Sequence, residues 1–168
     1  FSADPKLVSL LGKKCIDLYK KNKIACVIKH IPGHGLATFD SHKKTPVVKE
    51  GKKILNSYDF YPFKNKNVFF AMTSHIIYKA IDKINTTTHS KIIIEDIIRK
   101  KIKFKNILIS DDISMKSLNF GFKENILKAF NAGCNIVLHC NGNINEMNKL
   151  AEISPKIDIF TIKKTSEF

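Results

Sequence analysis

The feature that most constrains the fold of this chain is the alternation of short apolar runs with segments of helical periodicity. Each apolar run has the length and composition of a buried strand, and the four runs are residues 24–29, 68–72, 107–109 and 135–140. Helical segments separate them; the first begins at the start signal Asp4-Pro5, and another follows Ser90. This pattern predicts an α/β fold whose parallel strands are joined by right-handed helical crossovers.

The number of strands bears on the architecture. The chain has 168 residues, which is enough for one domain with a sizeable core. Four or five strands can form an open doubly wound sheet, whereas a complete (β/α)8 barrel needs eight strands and typically about 250 residues. Length and strand number alone therefore favour the open sheet. Residues 154–168 have mixed polarity around Pro155, and we expect them to form a loosely ordered C-terminal tail.

Composition and charge limit the partners. The formal net charge is +14, but Arg99 is the only arginine among 29 basic residues. Nucleic-acid sites generally use arginine for bidentate contacts, so we expect no nucleic-acid partner. The four cysteines form no CxxC pair and are expected to be reduced. No apolar stretch approaches 18 residues and no secretory signal is recognisable, so we expect a cytoplasmic protein without a membrane partner.

Titratable side chains follow two of the apolar runs. Asp111 comes directly after the third run, where a buried strand fixes the backbone and loops can exclude water. It is a candidate nucleophile or base, and a helix N-cap is the competing interpretation. Its neighbour Asp112 points elsewhere on an extended backbone and is the better candidate for a structural role. His75 and Tyr78 follow the second run and are either substrate contacts or packed, hydrogen-bonded core residues.

The loop after the first run concentrates histidines and an acid. Its segment Asp40-Ser41-His42 places a carboxylate near an imidazole, which can fix the tautomer of that imidazole and raise its basicity for proton transfer. A surface turn is the competing interpretation. Four side chains of this region have the chemistry of metal ligands, and they are His30, His34, Asp40 and His42. Pro32-Gly33 excludes a helical zinc motif, but a metal-dependent hydrolase stays an alternative.

These candidate residues belong to blocks that occur in a fixed order. The blocks are Lys29-His30-Ile31-Pro32-Gly33-His34-Gly35, Asp40-Ser41-His42, Ala71-Met72-Thr73-Ser74-His75-Ile76-Ile77-Tyr78 and Ile109-Ser110-Asp111-Asp112-Ile113-Ser114-Met115. Together they resemble the glycoside hydrolase family 3 β-N-acetylhexosaminidases of the bacterial cell-wall-recycling type, over residues 1–150. The sequence departs from the family pattern at Leu36, where aspartate is expected, and at Asn106, where glycine is usual.

The resemblance implies a retaining glycoside hydrolase that removes terminal β-linked N-acetylglucosamine from peptidoglycan-derived muropeptides, without a metal or another cofactor. Asp111 matches the nucleophile of the family, which forms a covalent glycosyl-aspartate intermediate. His42 with Asp40 matches its acid/base dyad. Lys29 and His30 match residues that are expected to contact the sugar. His75 is a further expected substrate contact because of its position after the second apolar run.

The resemblance also implies a (β/α)8 TIM barrel, of which this chain supplies the C-terminal half, or about four βα units. Residues 1–153 are then a partial catalytic domain and residues 154–168 a tail. A half barrel leaves sheet edges and core exposed, so we expect the chain to need a separate N-terminal half-barrel chain. The alternative is a non-catalytic remnant or sugar-binding half-domain. Because the acid/base is a histidine, phosphorolysis also competes with hydrolysis.

Overall fold

The computed structural model describes residues 2–39 and 44–167 and is built on a four-stranded parallel sheet. Its strands, in spatial order, are β1 (Val27–Ile31), β3 (Phe70–Thr73), β5 (Ile107–Asp112) and β6 (Ile136–Leu138). A separate parallel pair consists of β2 (Val47–Val48) and β4 (Ile77–Tyr78). Each strand of the main sheet overlaps one of the four apolar runs, which confirms the predicted α/β fold with parallel strands.

The order of the strands in the main sheet follows their order in the chain. A doubly wound sheet requires the order to reverse at one point, and no reversal occurs among the described residues. The expectation of a doubly wound sheet is therefore wrong, because chain length and strand number do not determine in which direction successive crossovers wind. At the centre of the sheet, Ala71 pairs with Ile28 on one side and with Leu108 on the other, and the register of the β1–β3 pair shifts between Ile28 and Ile31.

Helices connect the strands. They are α1 (Pro5–Lys21), α2 (Lys52–Ser57), a π-helix (Ile93–Lys101), α3 (Phe122–Ala132), α4 (Ile144–Ile153) and α5 (Ile159–Ser166), with short 3-10 turns at Tyr61–Phe63 and Thr87–His89. The Asp4 side chain accepts a hydrogen bond from Lys6 N and so caps α1, as predicted. Gly133, at φ 116°, ends α3 in the left-handed conformation that glycine adopts without steric cost.

The C-terminal tail differs from its expectation. Residues 159–166 form α5, and the Asp158 side chain caps that helix by accepting a hydrogen bond from Thr161 N at 2.6 Å. Thr161 is 2% exposed, and its hydroxyl lies 3.2 Å from the Asn135 amide nitrogen. The tail is therefore helical and docked on the domain, rather than loosely ordered. Its sequence did not predict this because the docking depends on contacts with distant residues.

The core lies between the sheet and the helices. The helical segment predicted after Ser90 is the π-helix, and it buries a stripe of isoleucines, Ile93, Ile94, Ile97 and Ile98. In the sheet, Ile107 and Leu108 of β5 and Ala71 of β3 are fully buried. Each large apolar side chain that is buried in this way stabilises the fold by about 1.5–3 kcal/mol.

One side of the molecule exposes apolar surface. Helix α1 buries only Ile16, and its exposed apolar side chains are Leu7, Leu10, Leu11, Leu18 and Tyr19. A groove of about 540 Å³ separates this helix from residues 25–29 at the edge strand β1. Val27 of that strand is 42% exposed. Within residues 2–39 and 44–167, no helix combines the length and the hydropathy needed to cross a membrane.

Candidate active site

Three neighbouring strands end in polar residues at the same edge of the main sheet. His30 lies near the end of β1, Thr73 ends β3, and Asp111 lies near the end of β5. Because the three strands are parallel and adjacent, their C-terminal ends form a single polar rim. Two of these residues, His30 and Asp111, were predicted from the sequence as parts of the site, and the fold brings them together from distant positions in the chain.

Asp111 and His30 face each other at this rim. The distance from His30 Nε2 to Asp111 Oδ2 is 3.6 Å, and the two side chains are 27% and 13% exposed, respectively. Burial lowers the pKa of His30, and attraction to Asp111 partly opposes this effect. The Asp111 carboxylate is therefore partly exposed beside an imidazole that can make a hydrogen bond to a ligand.

The orientation of Asp111 is fixed by backbone groups. Asp112 N donates to Asp111 Oδ1 at 2.9 Å, so that oxygen is engaged within the chain. Asp111 N donates to Thr73 Oγ1 at 3.3 Å on the adjacent strand. The second carboxylate oxygen, Oδ2, lies 3.6 Å from His30 Nε2.

Asp112 has the structural role that the sequence favoured for it. Its Oδ1 accepts hydrogen bonds from Ser114 N at 3.0 Å and from Cys140 N at 3.1 Å. The Ser114 hydroxyl donates to the same carboxylate at 2.8 Å. These contacts close the turn after β5 and tie it to the residues that follow β6.

The loop after β1 is held by a buried acid that the sequence did not single out. Asp59 is 4% exposed, and its Oδ1 accepts a hydrogen bond from Leu36 N at 3.0 Å. Tyr78 is fully buried; its hydroxyl donates to Gly33 O at 2.7 Å and lies 3.3 Å from Asp59 Oδ2. Burial raises the pKa of Asp59. Tyr78 is thus a packed core residue, which was one of its two interpretations.

Asp59 also occupies the space beside the loop glycines. A Cβ added at Gly33 would lie 2.8 Å from Asp59 Cα and 2.8 Å from Asp59 Cγ, too close for any side chain. The sequence carried no signal for this contact, because Asp59 stands between two aromatic residues in a segment without clear periodicity. The glycine-rich loop is therefore shaped by a partner that lies well beyond it in the chain.

Lys29 and His34 lie near His30, beside a cleft. Lys29 is exposed, and the ring centres of His30 and His34 are 5.9 Å apart. All three residues line a cleft of about 460 Å³, together with Asp59 and Leu36. The cleft therefore offers cationic and imidazole donors to a polar ligand.

His75 is placed differently from the substrate contact that the sequence predicted. It is fully buried, its Nδ1 lies 2.8 Å from Thr88 Oγ1, and its Nε2 lies 3.0 Å from Asp112 O. Both ring nitrogens are therefore engaged by the protein in this arrangement. Burial lowers the pKa of this imidazole. The sequence did not predict these contacts, because Thr88 belongs to a polar segment that was interpreted only as a connection.

Two predicted residues, Asp40 and His42, lie outside the described residues, and the predicted acid/base dyad is not described by the structure. Among residues 2–39 and 44–167, no group of three or more His, Cys, Asp or Glu side chains is placed to hold a metal ion. The described part of the proposed metal cluster, His30 and His34, does not by itself fit a metal site.

Comparison with protein families gives one match that spans almost the whole chain. The model described as "Glycosyl hydrolase family 3 N terminal domain" matches residues 1–163. A β-hexosaminidase from Haemophilus influenzae is 37% identical over 147 residues, which cover 84% of this chain and 42% of that protein. A β-hexosaminidase from Shewanella frigidimarina is 33% identical and covers 86% and 44%, respectively. The chain thus spans less than half the length of these relatives.

Solved structures match the fold. NagZ from Neisseria gonorrhoeae, in complex with N-trifluoroacetyl-D-glucosamine, superposes with a TM-score of 0.85 at 28% identity, covering 97% of this chain and 48% of that one. Zn-bound CbsA from Thermotoga neapolitana superposes with a TM-score of 0.80 at 30% identity, covering 98% and 38%. In both cases nearly all of this chain corresponds to less than half of the other.

Proposed function

Because the chain belongs to glycosyl hydrolase family 3, we propose that it supplies part of the active site of a retaining β-N-acetylhexosaminidase. The observation that carries this proposal is the Asp111 carboxylate, which lies partly exposed at the C-terminal end of β5 with Oδ2 3.6 Å from His30 Nε2. The names of the relatives support the reaction class, and the ligand bound to NagZ supports an N-acylglucosamine substrate.

The reaction proceeds in two displacements. In the first, Asp111 Oδ2 forms a bond to the anomeric carbon while the glycosidic bond breaks, and the leaving oxygen takes a proton from His42. In the second, His42 takes a proton from water as the water oxygen attacks the same carbon and the bond to Asp111 breaks. Two inversions leave the product with its original β configuration. Asp40 orients His42 and raises its basicity; these two roles rest on the sequence.

Lys29 and His30 bind the sugar in this proposal. Both line the 460 Å³ cleft, His30 Nε2 lies 3.6 Å from Asp111 Oδ2, and the nitrogen atoms of both side chains can make hydrogen bonds to hydroxyl groups. His75, which was expected to join them, instead acts within the protein because its nitrogens are engaged by Thr88 and Asp112. No metal or other cofactor takes part in either displacement.

The chain forms half of a (β/α)8 barrel, with residues 1–153 as the partial catalytic domain. The sequential strand order supports this, since a barrel is wound in one direction without reversal. The exposed apolar side of α1 and the groove beside β1 support a missing neighbour on that side. That neighbour is the segment that completes the barrel, supplied as a separate N-terminal half or as another part of one polypeptide.

The proposed substrate is a terminal β-linked N-acetylglucosamine on a small saccharide or muropeptide derived from peptidoglycan, and the proposed compartment is the cytoplasm. Both follow from the sequence resemblance to cell-wall-recycling enzymes.

An assay with 4-nitrophenyl N-acetyl-β-D-glucosaminide tests the function. The chain is assayed alone and mixed with the part of the Haemophilus influenzae relative that it does not match. We expect little turnover alone and clear turnover in the mixture, which Asp111→Asn should reduce by about 10³-fold or more. Asp96→Asn, an exposed carboxylate paired with Lys100, is the matched control and should leave turnover unchanged. Turnover that persists in Asp111→Asn would overturn the proposal.

The same assay separates the alternatives. A metal-dependent hydrolase is favoured only by the zinc that CbsA binds, and it predicts loss of turnover in a chelator, whereas the glycosidase should be indifferent. A non-catalytic remnant predicts no turnover in the mixture despite a folded chain. Adding inorganic phosphate distinguishes phosphorolysis, which would release the sugar as its 1-phosphate.

A further inference from the structure

A series of buried side-chain hydrogen bonds connects the backbone on the two sides of the Asp111–Asp112 pair. It begins at Asp111 N, which is 3.3 Å from Thr73 Oγ1, and continues to Thr88 Oγ1 over 2.8 Å. Thr88 Oγ1 lies 2.8 Å from His75 Nδ1, and His75 Nε2 lies 3.0 Å from Asp112 O. Thr73, Thr88 and His75 are each fully buried. The series of hydrogen bonds therefore starts at the backbone N–H of Asp111 and ends at the backbone C=O of Asp112.

The direction of each bond in this series follows from chemistry. A carbonyl oxygen can only accept, so His75 Nε2 must carry a hydrogen and donate to Asp112 O. In a neutral imidazole the other nitrogen, Nδ1, then accepts, and the Thr88 hydroxyl donates to it. Thr88 Oγ1 in turn accepts from the Thr73 hydroxyl, and Thr73 Oγ1 accepts from Asp111 N. Ser74 O is a more distant acceptor for the Thr88 hydroxyl, at 3.4 Å.

We propose that Thr73, Thr88 and His75 are positioning residues that hold the peptide groups on both sides of the Asp111–Asp112 pair, and thereby aim the Asp111 carboxylate at the anomeric carbon. This proposal rests on the proposed function of Asp111. None of the three side chains touches the substrate. They act through the N–H of Asp111 and the C=O of Asp112, which are the two backbone groups that flank the nucleophile and its neighbour.

The surroundings of His75 support its neutral form. Burial lowers the pKa of this imidazole, although the carboxylates of Asp111 and Asp112 oppose the effect. A neutral ring is what the deduced bond directions require, since a charged ring would turn Nδ1 into a donor and leave Thr88 to find another acceptor. A displacement of the nucleophile by about 1 Å can cost on the order of 100-fold in rate, so the position of these peptide groups matters to catalysis.

Thr88→Val tests the proposal. Valine keeps the shape of threonine but removes the hydroxyl that bonds to both Thr73 and His75. The first readout is the ¹⁵N spectrum of His75 in the ligand-free protein. The wild-type ring should be the neutral Nε2–H tautomer, and its Nδ1 signal should shift in Thr88→Val. The second readout is hydrogen exchange at Asp111 N, which should accelerate by about 10-fold or more. Thr88→Ser should restore both.

Thr87→Val is the matched control. Thr87 lies in the same 3-10 turn and is equally buried, but its hydroxyl bonds to Ser74 and Ile76 rather than to the bonds that reach Asp111. It should leave the His75 spectrum and the exchange at Asp111 N unchanged. Where the completed enzyme turns over substrate, Thr88→Val should lower kcat by about 10- to 100-fold with less than about 3-fold change in KM.

The readouts separate failure of the positioning role from failure of the glycosidase function. Two results overturn the positioning role whatever the activity. One is unchanged hydrogen exchange at Asp111 N in Thr88→Val, and the other is a wild-type His75 that carries its hydrogen on Nδ1. If Thr88→Val does not fold, the wild-type tautomer alone decides. If the spectra behave as expected but the completed enzyme has no turnover, the geometry stands and the proposed function fails.

Discussion

Gly33 has no room for a side chain because Asp59 lies against it. We expect Gly33→Ala to destabilise the protein by about 1–3 kcal/mol, the usual cost of forcing an extra group into a packed site. The loop that carries His34 should also lose its contacts with Tyr78 and Asp59. Chemical denaturation measures the free energy of unfolding directly.

Gly12 is the control for this substitution. It lies within α1, and an added Cβ there meets nothing within 4 Å. Gly12→Ala should stabilise the protein by roughly 0.5–1 kcal/mol, because alanine is the better helix former. Equal stability of Gly33→Ala and the wild type would contradict the close packing of Asp59 against the loop.

His89 should make stability depend on pH. Burial is the main cause that lowers the pKa of His89 from 6.5 to about 4. As pH falls, the unfolded chain takes up a proton on His89 before the folded protein does. The contribution of neutral His89 to the free energy of unfolding is therefore complete above about pH 6.5 and is lost progressively down to about pH 4. The full effect is about 3 kcal/mol.

The measurement compares the wild type with His89→Asn at pH 7 and pH 4.5. The wild type should lose more unfolding free energy than the variant between these two values, since both share every other titrating group. The same loss in both proteins would contradict the assignment of His89 as a buried neutral residue.

At the residue scale, the sequence could predict the placement of side chains that directly follow one buried strand. Asp111 and Asp112 follow an apolar run directly, and their surroundings differ as expected from the alternation of side chains along a strand. Asp59, Thr73 and Thr88 could not be predicted, because each acts through partners on other elements. His75 was recognised as notable, but its partners were not.

At the element scale, Arg99 joins the π-helix to the sheet. Its guanidinium donates to Phe104 O at 3.2 Å, to Asn106 O at 2.7 Å and to Asn135 Oδ1 at 2.9 Å. Asn135 in turn accepts from Leu108 N of β5 at 2.9 Å. The one arginine of the chain is therefore a structural connection between the π-helix and the sheet.

Arg99→Lys should destabilise the protein by about 1–3 kcal/mol, because a single ammonium group cannot reach three acceptors in this geometry and leaves buried carbonyls unpaired. Lys100→Gln is the control on the same helix; its ammonium pairs with Asp96 in an exposed position, so its loss should change stability by less than about 1 kcal/mol. Thermal or chemical unfolding of both variants checks the difference. A change in Arg99→Lys no larger than the control would contradict the connection.

Elements were predictable where local signals agree with tertiary packing. The Asp4-Pro5 start and the helical segment after Ser90 each gave an element that the structure contains. The two-residue strands β2 and β4 and the docked helix α5 were missed. Their formation depends on pairing and docking partners that no local pattern reveals.

At the scale of the whole molecule, strand order is what the sequence alone could not supply. The number and type of elements are local properties, whereas the sequential order β1, β3, β5, β6 reflects how successive crossovers wind. That order, with the exposed apolar side of α1, is the physical basis for the proposed half barrel. The resemblance to a known family also implied a half barrel, whereas chain length and strand number favoured the doubly wound sheet.

Trapping the glycosyl-enzyme tests the central claim most directly. The chain, combined with the unmatched part of the Haemophilus influenzae relative, is treated with an activated fluorinated N-acetylglucosaminide that is hydrolysed slowly, then digested and weighed by mass spectrometry. We expect one sugar attached to the peptide that contains Asp111 and none in Asp111→Asn. A sugar attached to another residue, or steady turnover with no covalent species in either protein, would contradict the assignment of Asp111 as the nucleophile.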